Sequence, residues 1–188
     1  MAFAAVVLAG VIAAGVTFVL LSHRGGSAEP AARPAARAAG LTAYTTDHGH
    51  FTVGVPTSWR RAPAAGSADL LARNQSGSGS LLVRTLTLAK PIDPRHPRAV
   101  KDVLGTILHT GGLRVLAERA VTVNGTPGYV YVYTFSDASS GATTMHWHYF
   151  FFDGRRLHVL VLQALPASSF DQLAPTFDAI AKSVQVRA

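Results

Sequence analysis

Residues Met1 to Leu21 carry no charged side chain, and that run constrains the chain more than any other feature. At about 1.5 Å per residue, twenty-one helical residues reach roughly 31 Å, close to the roughly 30 Å hydrocarbon core of a bilayer. About eleven of them are Phe, Val, Leu or Ile, each favouring insertion by roughly 0.3–0.6 kcal/mol. Only Thr17 introduces a side-chain hydroxyl. A secretory signal has a basic leading region and an apolar core of about 7–15 residues. This run has no Lys or Arg and is longer. Residues 1–22 are therefore expected to form a single transmembrane helix, with residues 1–21 in contact with the lipid bilayer; the alternative is a cleaved signal. The chain has no Cys, which removes lipidation at a Cys, disulfides, thiol catalysis and thiolate metal sites together.

Residues 23–40, which include GGSAEPAARPAARAAG, have no apolar period and are expected to form a linker. Residues 41–188 remain, enough for one domain with a real core. Arg24, Arg33 and Arg37 follow the apolar run, and the positive-inside rule would put the domain in the cytoplasm. The Ala/Pro stalk argues the other way. The expected arrangement is a single-pass cell-membrane protein with an extracytoplasmic domain. From Leu41 onward there are 14 Lys/Arg against 9 Asp/Glu, a surplus of +5 that favours anionic partners. The arginines are scattered along the chain, so no nucleic-acid partner is expected.

Periodicity orders the domain. Phe51–Val55 alternates and meets Pro56, which predicts a strand ended by a turn. Further strands are expected over 69–73 and 81–88. Val100, Val103, Leu104, Ile107 and Leu108 make an amphipathic stripe for a helix that starts near Pro97 and stops at Gly111-Gly112. Strands over 113–123, 128–135, 143–152 and 157–165 follow, with hairpin turns at Asn124-Gly125 and Asp153-Gly154. A last helix is expected over 168–184, with Pro175 marking the start of its main part. Strands apolar on both sides, such as Val159-Leu160-Val161-Leu162, imply a sheet covered on both faces.

Phe51-Thr52-Val53-Gly54-Val55-Pro56-Thr57-Ser58-Trp59, Asn124-Gly125-Thr126-Pro127-Gly128 before a Tyr-rich strand, Asp153-Gly154-Arg155, and Pro175-Thr176-Phe177-Asp178-Ala179-Ile180 stand in an order that resembles the PsbP-like group. That group includes actinobacterial LpqN-type envelope lipoproteins and the Ran-binding Mog proteins. The resemblance covers Leu41 to Val186. It implies an α+β fold, an antiparallel β-sheet flanked by helices in an α/β/α sandwich. It also implies a non-catalytic binding or accessory role at the cell envelope, and it supplies no catalytic residues. The missing Cys departs from the lipoprotein branch in the mode of anchoring.

Candidate chemistry is sparse. His146 and His148 lie two apart on one strand, with His158 on the next, which makes them candidate metal ligands. A two-residue Asp153-Gly154 loop pairs Phe152 with Arg155 and puts His158 opposite Tyr149, on the side of Trp147. The three then cannot converge, and no metal or other cofactor is expected. His48-Gly49-His50 is a second such pair, in a loop. Tyr129, Tyr131 and Tyr133 share a face: either they pack under a helix or they form an apolar platform for a lipid or small molecule, extended by Trp147 and Tyr149. No nucleophile elbow, phosphate loop or His-Glu-x-x-His motif occurs, and no enzyme is expected. Three functions follow in order: a binding module for a protein or envelope component, a lipid or small-molecule carrier using the Tyr-lined face, and a His-dependent metal binder.

Overall fold

Gln185 and Val186, just ahead of the last described residue, pair with the second strand of the domain, so the domain closes where it begins. The structure, a computed structural model, describes residues 40–46, 49–63, 68–108, 112–137 and 140–187. The expected membrane span and residues 23–39 of the expected linker lie outside these residues. Among the described residues, no helix is long and apolar enough to cross a membrane.

Among the described residues, ten strands and two α-helices follow one another. They are β1 (Leu41–Thr45), β2 (Phe51–Pro56), β3 (Arg60–Ala62), β4 (Leu70–Arg73), β5 (Gly79–Thr87), α1 (Pro97–Ile107), β6 (Arg114–Val123), β7 (Thr126–Ser136), β8 (Thr143–Asp153), β9 (Arg156–Ala164), α2 (Phe170–Lys182) and β10 (Gln185–Val186). Seven strands form one antiparallel sheet in the order β3-β4-β5-β9-β8-β7-β6, and β1-β2-β10 form a small second sheet. Neither β1, β3 nor β10 was expected from periodicity. Each is short, and its pairing partner defines it more than its own pattern does.

Two cores lie on opposite faces of the large sheet. On one, Val100 and Leu104 of α1 meet Tyr129, Tyr131, Phe150, Leu157 and Val159. On the other, Leu173, Phe177, Ile180 and Ala181 of α2 join Phe51, Val53 and Val55 of β2 over Leu81, Tyr149, Phe151, Leu160 and Leu162. The alternation of each strand delivers one set of side chains to each core. β8 and β9 are apolar on both sides because both of their faces are covered.

Turn chemistry sets the register. Asn124 (φ 47°) and Gly125 (φ 80°) join β6 to β7 as a two-residue turn of the type that needs positive φ at both positions. The Asn124 amide also donates to the carbonyls of Lys182 and Val184, each at 2.8 Å, and so caps the C-terminal end of α2. The turn between β8 and β9 differs from expectation by one residue. Its central pair is Gly154-Arg155, with Asp153 opposite Arg156, and His158 faces Phe151 instead of Tyr149. Gly154 has φ 56° while Arg155 is not among the positive-φ residues, so glycine takes the first central position. Pro175 likewise sits inside α2 instead of opening its main part. α1 ends at Ile107, capped by the Leu108 N–H on the Leu104 carbonyl, ahead of the expected glycine stop.

Close approach, not backbone freedom, accounts for Gly128. A Cβ there would stand 2.6 Å from the Phe150 carbonyl oxygen and 2.9 Å from Phe151 Cδ1. Gly128→Ala must shift backbone in the central hairpin, and we expect it to destabilise the fold by about 1–3 kcal/mol in chemical denaturation, against a few tenths for Gly125→Asn at the exposed turn.

Candidate functional site

β7 and β8 pair so that Tyr133 faces His146, Tyr131 faces His148 and Tyr129 faces Phe150. All six therefore point to the face that α1 covers. The three tyrosines are only 6%, 7% and 3% exposed: of the two arrangements open to them, they take the packing under a helix and do not form a platform. Burial, reinforced by the Glu118 carboxylate, raises Tyr131 to about 12. Glu118 is itself ion-paired with Lys101 of α1. Trp147 and Tyr149 do not extend this row. They face Leu162 and Leu160 and so lie on the opposite side of the sheet, because successive side chains alternate. There Trp147 packs against Phe170, ring centres 5.1 Å apart, and Tyr149 stacks on Phe151.

The histidines divide as the strand parity requires. His146 and His148 share the α1 side, while His158 faces Phe151 and lies on the α2 side. The three do not converge, and among the described residues no group of three His, Cys, Asp or Glu is placed to hold a metal ion. His48 lies outside the described residues; His50 Nδ1 is 3.1 Å from the Arg187 carbonyl.

Hydrogen bonds fix the proton positions in the pair. His146 Nε2 is 2.9 Å from Gln163 Oε1, an acceptor, so that nitrogen carries the proton. His146 Nδ1 then accepts from the Tyr133 hydroxyl at 3.0 Å, and His148 Nδ1 donates to the same hydroxyl at 3.0 Å. The chain of bonds ends at His148 Nε2, a buried lone pair without a hydrogen-bond partner. His158 ends the same way. Its Nδ1 lies 3.3 Å from Thr85 Oγ1, which donates to Asp69 at 2.8 Å, and its Nε2 is buried and unpartnered. Its ring stacks on Phe51 at 5.0 Å. Burial pushes His146 down to about 4, His148 to about 3 and His158 to about 4. All three are neutral rings in packed surroundings, which suits a structural role.

The apolar concavity is elsewhere. A cleft of about 360 Å³ opens on the α2 side, where Met145, Leu116 and Thr134 of the sheet meet Ala167 and Phe170 ahead of and at the start of α2. Thr134 Oγ1 is buried there without a hydrogen-bond partner, and Asp171 stands at the cleft's rim. Nothing in the order of residues signals it. Leu116 reaches the cleft because β6 bulges between Val115 and Ala117, an irregularity that periodicity does not reveal.

An antiparallel sheet with one helix on one face, and a helix plus a small second sheet on the other, is the PsbP-like fold. Solved structures that share it include cyanobacterial PsbP (CyanoP) from Synechocystis, at a TM-score of 0.55 and 16% identity, covering 89% of this chain and 99% of that one. They also include LpqN, involved in cell envelope biogenesis of Mycobacterium tuberculosis, at a TM-score of 0.57, 14% identity and coverage of 79% and 91%. The Ran-binding protein Mog1p of Saccharomyces cerevisiae matches at a TM-score of 0.52, 13% identity and coverage of 78% and 95%. No protein-family model and no curated protein matches the sequence. At these identities the likeness concerns the fold.

Proposed function

We propose that this chain is a non-catalytic binding module of the cell envelope. In this reading residues 1–21 hold it in the cell membrane, and the domain, on the outer side, recognises a protein or an envelope component. The observation that carries the reading is a leading run of twenty-one uncharged residues joined to the fold of LpqN, a protein described as involved in envelope biogenesis. Mog1p, described as Ran-binding, puts the same fold to use in recognition. The Tyr row contributes by packing: sealed under α1, it makes a rigid scaffold for surfaces at the sheet edges and helix ends.

A second reading has one observation behind it. The cleft beside Met145 and Phe170 is of a size to take a small apolar molecule, with the Thr134 hydroxyl left to hydrogen-bond it. This replaces the Tyr-lined face as the place where a carrier would hold its cargo.

Fractionation tests the first reading. Full-length protein is expected in the membrane pellet after a high-salt wash and in the supernatant only with detergent. An alkaline phosphatase reporter fused after Ala188 is expected to be active. Unprocessed protein found wholly in the high-speed supernatant overturns the anchor, and an inactive reporter overturns the side. For the second reading, native mass spectrometry of detergent-extracted protein is expected to show a bound molecule that Met145→Trp, by filling the cleft, removes.

A further inference from the structure

β3, three residues long, is the edge of the large sheet, and its pairing with β4 sets Arg60 directly opposite Arg73. Cross-strand partners share a face, so two exposed arginine side chains leave the strand pair on the same side. Arg61, the next residue along β3 and paired with Ala72, is on the other face, its guanidinium carbon 4.7 Å from the centre of the Tyr44 ring in β1. These three arginines and the turn at residues 74–77 line a cleft of about 560 Å³. Among the described residues, none of the three arginines forms an ion pair.

The wall of the cleft is built in advance. The Asn74 N–H donates to the Gly79 carbonyl at 3.0 Å, and the Asn74 side chain accepts from the Gly79 N–H and donates to Ser78 Oγ, both at 3.1 Å. Gly77, at φ 75°, closes the turn. Like charges directly opposite one another destabilise a strand pair. An anion held between Arg60 and Arg73 removes that repulsion and gains two planar donor forks.

We infer that this cleft binds a phosphate group, with Arg60 and Arg73 gripping its oxygens and Arg61, held on Tyr44 from the other face of β3, adding positive charge at the sheet edge. A phosphate fits because it offers several acceptor oxygens and negative charge to two guanidiniums carried on one face of a strand pair. The group arrives either on an anionic phospholipid headgroup or on a soluble phosphorylated compound. The inference stands on residues 44, 60, 61 and 73–79 and does not depend on the envelope reading.

The test uses the full-length chain in neutral maltoside micelles at fixed ionic strength. In one arm inorganic phosphate is titrated while the melting temperature is followed; in the other the micelles are doped with short-chain phosphatidylglycerol or, for comparison, phosphatidylcholine. A saturable rise in melting temperature is expected in at least one arm. Arg60→Gln/Arg73→Gln is expected to weaken it by about tenfold or more, as loss of a charge-assisted bond implies. Arg98→Gln/Arg119→Gln, exposed and equal in charge removed, is expected to leave it unchanged. Arg60→Lys/Arg73→Lys keeps the charge, loses the forks, and is expected to fall between. A response to inorganic phosphate supports a soluble ligand, and a response confined to phosphatidylglycerol supports a headgroup. Equal loss in the two Gln double variants, or no saturable shift in either arm, overturns the site.

Discussion

Between pH 7 and about pH 5 the melting temperature of this protein is expected to fall by roughly 15–20 °C. His146, His148 and His158 are held in the folded state at about 4, 3 and 4, below their ordinary 6.5, by burial. Between those values the unfolded chain binds more protons than the folded one, so stability rises with pH. It is complete above 6.5 and is lost as pH falls toward 4. At about pH 5 each ring costs on the order of 2 kcal/mol, about 6 in all, and a chain of this size loses roughly 2–4 °C per kcal/mol. Removing one ring isolates its share. His158→Phe, placed against Phe51, is expected to cut the loss between pH 7 and pH 5 by about a third in thermal melts. A melting temperature flat across that window would mean that the three rings titrate as if in water.

Phe177→Ala is expected to cost about 3–5 kcal/mol and to lower the melting temperature by roughly 10–15 °C at neutral pH. The ring is fully buried, meets Trp59 edge-on at 6.4 Å and lies 6.1 Å from Phe170. It joins α2 to the small sheet and to the inner face of the large one. Phe177→Leu keeps most of the volume and is expected to cost less than half as much. The damage is expected to be one-sided. Hydrogen exchange measured by mass spectrometry should show β1, β2 and β10 losing protection well before β7, β8 and α1, because the other core contains none of these contacts. Uniform loss across both faces would show that the two cores unfold as one.

What could be read from the amino-acid order depended on how local the determinant was. β7 and β8 were legible because each is a long run rich in aromatic and β-branched residues bounded by a hairpin signal. The separation of His158 from His146 and His148 was legible although the turn was misplaced by one residue. Moving a two-residue loop by one position changes each partner by two, and a change of two preserves the face. Trp147 and Tyr149 were grouped with the tyrosines of β7 because both sets are aromatic, yet the pairing of Tyr149 with Val130 puts them on the far side. The basic cleft was not legible at all. Arg60 and Arg73 are thirteen positions apart, and only β3, a strand too short to show a period, makes them neighbours. The apolar cleft likewise depends on a bulge and on where α2 begins.

β2 lies between β1 and β10, with Thr52 opposite both Thr45 and Gln185. The first and last strands of the domain therefore run side by side in the same direction, separated by a single strand's width, and the start of β1 and the end of β10 lie at opposite tips of that strand. A bridge of about seven residues spans such a gap. The order of the elements can accordingly be rewired, joining old tail to old head and opening new termini at the exposed Gly125 turn, without disturbing either core.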